Sequence, residues 1–262
     1  MKTFGLIGTP LSHSFSKKYF SEKFFKENIT DAEYQLFPLE NIEGIKDLLK
    51  HPTLLGFNVT IPYKSEIIPF LDELDAVAEE IIAVNCVVKQ QGRWVGYNTD
   101  VAGMKETMQK VEGGKEKGER GWGKSEGKKE ELAIVLGNGG ASKAVCYVLK
   151  QKNVPFLVIS RKKTDETITY NEVTEQLIHR AKFIINTTPL GMFPNVNEMP
   201  QIHYTAFNKR HILIDLIYNP EETLFLKEGK KRGATVINGL TMFQVQAEAS
   251  WRLFSQVPPN TF

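Results

Sequence analysis

Short apolar runs alternate with segments of helical periodicity through the first hundred residues. Five runs have the apolar, β-branched or aromatic content typical of strands: residues 4–7, 34–37, 55–60, 84–89 and 94–97. The last two flank Gln90-Gln91-Gly92-Arg93, which predicts a hairpin. Apolar side chains recur at helical spacing after residue 15 and over 42–49, where Asn41 is the candidate N-cap. This alternation predicts a sheet covered by helices.

A second series of strands begins at Leu132–Leu136, a continuous apolar run typical of a fully buried parallel strand. Later strands are predicted at 156–159, 183–186 and 212–216, and a helix over 141–152. This strand–helix–strand order predicts an α/β fold with a doubly wound parallel sheet. Two further helices are predicted, over 99–111 with Thr99 as candidate cap and over 240–254.

The length of 262 residues predicts two domains, at about 150 residues per domain. Between the two strand series lies a charged stretch, residues 112–131, with Trp122 as its one large apolar side chain. A segment this polar buries too little surface to order itself, so we expect a flexible insertion. Its interleaved glutamates cancel its positive charge and argue against binding of nucleic acid.

Charge and cysteine content restrict the classes of function. Lys and Arg number 33 and Asp and Glu 31, so a net charge of +2 gives no general attraction for nucleic acid or an anionic membrane. Cys86 and Cys146 form no CxxC motif and lie in apolar surroundings, which predicts buried thiols. The N-terminal apolar run is too short for a signal peptide or a membrane span. We therefore expect a cytoplasmic protein that binds neither nucleic acid nor a membrane.

A glycine-rich string, Gly137-Asn138-Gly139-Gly140-Ala141-Ser142, directly follows the first strand of the second series and opens a helix. Glycines allow close backbone approach to a pyrophosphate, and the helix N-terminus offers free N–H groups. A plain tight turn would use the same residues. The strand–turn–helix context favours dinucleotide binding.

The next strand ends in Ser160-Arg161-Lys162-Lys163, where an NAD site usually carries a carboxylate for the ribose hydroxyl. The first acid here is Asp165, and cations at this point suit a ribose 2′-phosphate. The alternative is a basic surface turn. The sequence therefore favours NADP over NAD.

Polar residues gather at predicted strand ends in the first half of the chain. They occur in four segments: Ser12–Ser16, Asn58–Lys64, Ala83–Asn85 and Asn98–Asp100. Singly, each has an ordinary explanation, since serines cap helices, Asn85 could pair in a turn, and Lys64 and Asp100 could form a surface ion pair. Together, their hydroxyls, amides, ammonium and carboxylate suit a small polyhydroxylated acid.

These motifs resemble the shikimate dehydrogenase family over the whole chain apart from the charged insertion. The matching segments are Gly8-Thr9-Pro10, His13–Ser16, Asn58–Lys64, Ala83–Asn85, Asn98–Asp100, Gly137–Ser142, Asn186–Met192, Asp215–Pro220 and Asn238–Met242 with Gln246. The resemblance implies reversible, NADPH-dependent reduction of 3-dehydroshikimate to shikimate in the chorismate pathway of aromatic amino acid biosynthesis. It also implies two domains: an N-terminal α/β substrate domain, 1–99 completed by the C-terminal helix 240–262, and a Rossmann NADP-binding domain, 100–239.

The resemblance further implies roles for single residues. Lys64 and Asp100 are the expected catalytic pair. The expected substrate-binding residues are Ser14, Ser16, Thr60, Lys64, Asn85, Asp100, Tyr218 and Gln246. The expected cofactor-binding residues are Gly137, Asn138, Gly139, Gly140, Ala141, Ser160, Arg161, Lys162, Thr187, Thr188, Leu216, Gly239 and Met242. No metal is expected, and the family implies a monomer or a homodimer.

Negative charge builds on a ketone oxygen as hydride arrives. We expect the Lys64 ammonium to stabilise that oxygen and deliver a proton, while Asp100 holds the ammonium and accepts a substrate hydroxyl. Two alternatives stay open. A quinate/shikimate dehydrogenase with relaxed substrate or NAD use would carry an acid after the second nucleotide-domain strand, and a non-catalytic metabolite sensor would lack Lys64 or Asp100.

Some positions depart from the family pattern without removing a catalytic group. They are Lys17, Tyr19-Phe20, Ile82, Cys86, and Ser160 and Lys162 on either side of Arg161. Ile82 stands where the family usually has glycine.

Overall fold

The computed structural model describes residues 1–11, 14–113 and 131–256. Most of the predicted insertion at 112–131, Ser12 and His13 of the first serine motif, and the last residues of the segment 240–262 lie outside the described residues. The chain divides into two units. Unit 1 comprises residues 1–100 and those from Gln246 onward, and unit 2 comprises residues 101–245.

Unit 1 is built on a mixed sheet of six strands. The strands are β1 (Lys2–Gly8), β2 (Ala32–Pro38), β3 (Leu54–Val59), β4 (Glu73–Leu74), β5 (Cys86–Gln90) and β6 (Arg93–Tyr97). Their order across the sheet is β2-β1-β3-β5-β6-β4, and β5 runs antiparallel to both of its neighbours. The start of β5 at Cys86 therefore lies beside Asn58 near the end of β3 and Tyr97 at the end of β6.

The β5–β6 connection confirms the predicted hairpin. Its two central residues, Gln91 and Gly92, have φ of 50° and 80°. Positive φ at both positions defines a type I′ turn, whose twist matches that of the flanking strands.

Three helices complete the first hundred residues of unit 1: α1 (Phe15–Lys26), α2 (Ile45–Leu48) and α3 (Ala76–Ile81). A large aromatic core packs α1 and Phe254 against the sheet. Phe20 of α1 stacks on Tyr34 with ring centroids 4.3 Å apart, and Phe254 stacks on Phe4 at 4.8 Å. Phe254 thus belongs to the core of unit 1.

Unit 2 is built on a fully parallel sheet of six described strands, which confirms the predicted doubly wound fold. The strands are β7 (Leu132–Leu136), β8 (Phe156–Ser160), β9 (Thr167–Thr169), β10 (Ala181–Asn186), β11 (Ile212–Asp215) and β12 (Thr235–Ile237). Their order is β12-β11-β10-β7-β8-β9. The chain reverses its direction across the sheet between β7 and β10, and such a switch point is where parallel sheets bind ligands.

Three helices pack on this sheet: α5 (Gly140–Gln151), α6 (Glu175–Arg180) and α7 (Leu224–Lys231). Two longer helices, α4 (Asp100–Gly113) and α8 (Leu240–Ser255), each begin in one unit and continue in the other. No helix in the described part of the chain is long and apolar enough to span a membrane.

Some details differ from the sequence predictions. Residues 42–49 form a 3-10 turn (Ile42–Gly44) and the single-turn α2, because Gly44 interrupts the helical pattern, and the Asn41 side chain makes no capping hydrogen bond. Cys86 is buried, but Cys146 is partly exposed because it lies beside the buried stripe of α5 rather than on it. The strands β4, β9 and β12 span two or three residues, too few for a periodic signal.

Candidate active site

The predicted polar segments of unit 1 lie at one edge of its sheet. Ser14 follows β1, Thr60 and Lys64 follow β3, and Asn85 immediately precedes β5. Asn98–Asp100 follow β6. Because β1, β3 and β6 end where the antiparallel β5 begins, segments that are distant in sequence share this edge.

Lys64 and Asp100 form an ion pair at this edge. Lys64 Nζ donates to Asp100 Oδ2 at 2.6 Å, and the two side chains are only 15% and 8% exposed. The Lys64 carbonyl accepts from Val84 N at 2.7 Å, which ties the lysine to the segment before β5. The pair is thus not the surface ion pair considered as an alternative. At this degree of burial the two charges interact more strongly than in water.

Asn85 contacts the other oxygen of the same carboxylate. Its Oδ1 accepts from Thr99 N at 2.6 Å, and its Nδ2 donates to Asp100 Oδ1 at 2.8 Å. Because a backbone N–H can only donate, the bond from Thr99 determines which terminal atom of the Asn85 side chain is Oδ1 and which is Nδ2. Both Asp100 oxygens therefore accept hydrogen bonds, one from an amide and one from an ammonium.

Buried hydrogen bonds continue from Asn85 to α8. We call this set the Ser250 network; its members are Tyr34, Asn58, Asn85, Thr99, Gln246 and Ser250. Ser250 Oγ donates to the Gln246 carbonyl at 2.9 Å, accepts from Asn58 Nδ2 at 2.8 Å and lies 3.1 Å from Thr99 Oγ1. Asn58 Oδ1 in turn accepts from Tyr34 OH at 2.9 Å. Ser250 is not among the residues predicted from the sequence, although its position one helical turn after Gln246 could have identified it.

Gln246 reaches the same group of side chains. Its Oε1 lies 3.4 Å from Asn85 Nδ2 and 3.5 Å from Thr99 Oγ1. These are long distances for hydrogen bonds, and the glutamine side chain is half-buried. The structure thus brings four of the predicted residues together: Lys64, Asn85, Asp100 and Gln246.

Ser14 and Ser16 lie at the start of α1. Ser14 is its N-cap, and its Oγ accepts from Ser16 N at 3.2 Å. The capping role considered for the serines is therefore observed, yet a hydroxyl that accepts can still donate its own proton. Thr60 is held close to β1, since its N donates to the Ile7 carbonyl at 3.0 Å.

In unit 2, the glycine-rich loop joins β7 to α5. Gly137 has φ of +104°, and a Cβ built there would lie 2.7 Å from Thr187 Oγ1, so the fold itself requires glycine. A Cβ at Gly139, the N-cap residue of α5, would meet nothing within 4 Å. Asn138 and Gly139 are exposed, and Gly140 and Ala141 begin the helix half-buried. The helix N-terminus thus faces open space, where its backbone N–H groups can receive an anion.

The end of β8 lies beside this loop, because Gly137 N donates to the Ile159 carbonyl at 2.8 Å. Ser160 is buried, whereas Arg161 and Lys162 are exposed. Lys163 is paired with Glu172. Within residues 1–11, 14–113 and 131–256, neither Arg161 nor Lys162 forms an ion pair with a carboxylate. Two cations beside the glycine-rich loop are thus available to an anion.

Thr187 and Thr188 follow β10 at the switch point. Thr187 N and Oγ1 donate to the Leu136 carbonyl at 2.9 and 2.7 Å, which closes the end of β10 onto β7. Thr188 N and Oγ1 donate to Asn186 Oδ1 at 3.1 and 2.6 Å. Asn186 Nδ2 donates to Asp215 Oδ1 at 3.0 Å and so links the ends of β10 and β11.

Asp215 is a fully buried carboxylate to which the sequence analysis gave no role. It also accepts from Ile217 N at 3.0 Å and from Thr223 Oγ1 at 2.6 Å. Burial raises its pKa from 3.8 to about 6, and the donors of Thr223, Ile217 and Asn186 act in the opposite direction. An acid at the end of an apolar strand is the signal that could have pointed to it.

The remaining predicted residues lie after β11 and β12. Leu216 N donates to the Asn186 carbonyl at 3.0 Å, and a Cβ at Gly239 would lie 2.0 Å from the Leu216 carbonyl oxygen. Met242 on α8 is buried. Tyr218 packs on Phe243 with ring centroids 4.6 Å apart, and burial raises the pKa of its hydroxyl to about 12. Tyr218 belongs to unit 2, whereas the other predicted substrate residues belong to unit 1.

The described residues contain no group of three or more His, Cys, Asp and Glu side chains that could hold a metal ion. Unit 1 offers an ammonium–carboxylate pair, amides and hydroxyls, and unit 2 offers an open glycine-rich loop with nearby cations.

Comparisons with known proteins show what this chain is similar to. Residues 6–87 match the family model described as the shikimate dehydrogenase substrate binding domain. The chain is 36% identical to the shikimate dehydrogenase (NADP(+)) of Methanococcus aeolicus over 276 residues, which cover 99% of this chain and 94% of that relative.

Solved structures are similar over the whole chain as well. The shikimate dehydrogenase 1 of Peptoclostridium difficile is 32% identical with a TM-score of 0.81, over 99% of this chain and 94% of that one. The shikimate 5-dehydrogenase of Thermus thermophilus, solved in complex with NADP(H) and shikimate, is 26% identical with a TM-score of 0.81, over 100% of this chain and 96% of that one.

Proposed function

This chain belongs to the shikimate dehydrogenase family, and on that premise we propose that its Lys64–Asp100 pair performs the family's reaction. The enzyme is an oxidoreductase that uses NADPH to reduce 3-dehydroshikimate reversibly to shikimate, a step of the chorismate pathway that leads to aromatic amino acids. Unit 1 binds the substrate, and unit 2 binds the cofactor. The observation that carries the assignment of catalytic residues is the buried contact of 2.6 Å between Lys64 Nζ and Asp100 Oδ2.

The ammonium of Lys64 acts on the reacting oxygen. In the direction of reduction it stabilises the negative charge that builds on the carbonyl oxygen and donates the proton that completes the hydroxyl. In the direction of oxidation the neutral amine of Lys64 accepts that proton from the substrate hydroxyl. Asp100 holds the ammonium in position and accepts a hydrogen bond from a neighbouring ring hydroxyl.

The substrate class follows from the donors and acceptors at the same edge of the sheet. The Ser14 and Ser16 hydroxyls donate to the substrate carboxylate. Thr60, Asn85 and Gln246 contact ring hydroxyls, and Tyr218 of unit 2 completes the set of substrate residues. A site rich in hydroxyls and amides strongly disfavours analogues without the matching hydroxyls, because its own polar groups would lose their partners.

The residues of unit 2 fit the cofactor NADP. The open space at Gly139 and the start of α5, at Gly140 and Ala141, suit the pyrophosphate. Ser160, Arg161 and Lys162 suit the 2′-phosphate. The residues proposed along the nicotinamide half are Thr187, Thr188, Leu216, Gly239 and Met242. When bound, NADPH supplies the hydride, and the protein supplies position and electrostatics.

The test is an assay of the purified protein with shikimate, followed through the absorbance of reduced cofactor, with NADP and NAD in parallel and quinate as the control substrate. Fast turnover with shikimate and NADP is the expected result. Comparable rates with quinate or NAD would assign the chain to dehydrogenases of broader specificity. Cofactor binding without turnover of any pair would contradict the proposal and favour a metabolite sensor. The cytoplasmic location and the choice between monomer and homodimer stay predictions.

A further inference from the structure

The Ser250 network contains one hydroxyl that bonds to its own helix and to two other segments of unit 1. Ser250 is fully buried on α8 and hydrogen-bonds to Asn58, Thr99 and the Gln246 carbonyl, and it also contacts the Cys86 thiol. Through these bonds it joins β3 and the residue before α4 to the turn of α8 that carries Gln246. A buried hydroxyl with this many partners restricts the positions of all of them.

The direction of each hydrogen bond can be assigned. Ser250 donates its single proton to the Gln246 carbonyl, so it accepts from Asn58 Nδ2 and from the Thr99 hydroxyl. Thr99, having donated its proton to Ser250, presents a lone pair to Asn85 Nδ2 at 2.9 Å. The second proton of that amide nitrogen goes to Asp100 Oδ1 at 2.8 Å.

The chain of bonds between Ser250 and Asn85 also has a neutral neighbour, the Cys86 thiol. The neighbouring Cys86 thiol contacts Ser250, and its burial raises its pKa to about 12, so the thiol stays protonated. The buried amides of Asn58 and Asn85 are only 6% and 2% exposed, so water does not replace a lost partner easily.

We propose that Ser250 is a positioning residue for substrate recognition: it holds Gln246 and the Asn85 amide in the orientation in which they meet the ring hydroxyls of the substrate. This inference rests on the proposed function for the identity of the substrate. The orientation itself is a property of unit 1 and can be measured without turnover.

Removal of the Ser250 hydroxyl leaves Asn58 Nδ2 without this acceptor and frees the Thr99 proton to turn toward Asn85 Oδ1, which lies 3.2 Å away. The turn of α8 that carries Gln246 loses the same anchor. Both effects act on residues that bind the substrate in its ground state and in its transition state alike. We therefore expect a higher KM for shikimate rather than a lower kcat.

The experiment compares Ser250→Ala with Ser255→Ala. Ser255 lies on the same helix, is exposed and donates to the Arg252 carbonyl, so its variant makes the same chemical change outside the network. Ser250→Ala should raise the KM for shikimate about tenfold, while the KM for NADP and the kcat stay within twofold of wild type. Ser255→Ala should change none of them. A purely structural role would lower the active fraction, and hence the apparent kcat, at an unchanged KM, and that result would overturn the proposal.

A double-mutant cycle tests whether Ser250 changes the KM for shikimate through Gln246. If Ser250 acts through Gln246, the double variant Ser250→Ala/Gln246→Ala should have nearly the same KM as Gln246→Ala alone. Fully additive effects would contradict that route. Ser250→Thr, which keeps the hydroxyl, should restore most of the wild-type KM.

Hydrogen exchange gives a readout that needs no turnover. The Thr99 amide donates to Asn85 Oδ1 at 2.6 Å, so its exchange rate reports the orientation of that amide. We expect Ser250→Ala to accelerate exchange at Thr99 at least fivefold and Ser255→Ala to leave it unchanged. Equal exchange in both variants would refute the positioning role even in an active enzyme. Absence of shikimate oxidation by the wild type would instead refute the proposed function.

Discussion

The side chains of Lys64 and Asp100 meet at 2.6 Å although they come from the ends of two strands that are not adjacent in the sheet. The carboxylate also accepts from the Asn85 amide at 2.8 Å. A buried ion pair contributes little net stability, because the cost of removing both charges from water offsets their attraction. We therefore attribute this ion pair to a role in the reaction rather than in stability. The proposed function makes that role testable.

Replacement of the Lys64 ammonium tests its role in proton transfer. Lys64→Ala should lower kcat about 100- to 10,000-fold with a nearly unchanged KM for shikimate, because the ammonium acts on charge that develops in the transition state. Steady-state kinetics in both directions provide the measurement. Lys50→Ala serves as the control, since Lys50 forms an exposed ion pair with Asp47 in the same unit. A near-normal kcat in Lys64→Ala would refute the assignment.

The two cations after β8 should determine the choice of cofactor. Arg161→Ala should raise the KM for NADP about 10- to 100-fold and leave the KM for NAD unchanged, because only NADP carries the 2′-phosphate that a charge-assisted hydrogen bond would reach. Lys163→Ala is the matched control, since Lys163 is paired with Glu172 and is not proposed to contact the cofactor. Equal increases in the KM for NADP and the KM for NAD would show that Arg161 does not contact the 2′-phosphate.

Two glycines of the same loop should respond differently to a methyl group. Gly137→Ala should destabilise unit 2 by about 1–3 kcal/mol, because φ is +104° and the new Cβ would approach Thr187 Oγ1 to 2.7 Å. Gly139→Ala should fold normally, since its Cβ meets nothing within 4 Å, but should bind NADP more weakly if the pyrophosphate takes that space. Urea unfolding and cofactor titration separate the two effects. Normal NADP binding by Gly139→Ala would exclude close approach of the cofactor at this residue.

The buried Asp215 should make stability depend on pH. Its pKa in the folded chain is raised from 3.8 to about 6 by burial, so the folded state binds its proton more tightly than the unfolded state does. The stabilisation from this proton is therefore fully present below pH 4 and is lost as pH rises through about 6. A shift of about 2 units corresponds to a loss of about 3 kcal/mol in the free energy of unfolding.

The measurement for Asp215 is the free energy of unfolding of wild type minus that of Asp215→Asn, from urea titrations between pH 4.5 and about 7.5. The difference should fall as pH rises to about 6.5 and then level off, because the variant lacks the titrating group but keeps every other one. A difference that is flat over this range would mean that the folded-state pKa of Asp215 is not raised.

Ile82 offers a test of backbone strain. It ends α3 with φ of 52° and ψ of 48°, a left-handed conformation that is costly for a β-branched residue, and its side chain is 59% exposed. Ile82→Gly should raise the free energy of unfolding by about 0.5–1 kcal/mol. Relief of the backbone strain stabilises the folded state, and the greater conformational entropy of glycine in the unfolded chain offsets part of that gain. Ile82→Ala removes the same side chain but keeps the strain, so it should not stabilise. Equal effects of the two variants in urea unfolding would exclude strain as the cause.

Local pattern predicted the strands that run through the middle of each sheet. Leu132–Leu136 and the β5–β6 hairpin lie where alternation, apolar content and turn residues placed them. These signals depend only on neighbours along the chain. The short strands β4, β9 and β12 carry too few residues for a period, and tertiary pairing with longer strands stabilises them.

The features of the site also divide into those that the sequence predicted and those that it did not. The glycine-rich loop, Arg161 and the polar strand ends could be recognised from residue types and their positions after predicted strands. The pairing of Lys163 with Glu172, nine residues further on, and the burial of Ser250 beside Asn58 could not, because neither contact follows from a periodic pattern of neighbouring residues.

The sequence by itself thus determined the central strands, the hairpin and the residue types offered at each strand end, since all of these follow from local pattern. Only the tertiary structure decided which of those residues meet. The antiparallel course of β5 brings Asn85 to Asp100, and the packing of the last turns of α8 on the aromatic core brings Gln246 to Asn85 and Ser250 to Asn58. The physical reason is that hydrogen-bond partners are selected by the way whole elements pack, and this depends on the burial of surfaces contributed by the entire chain.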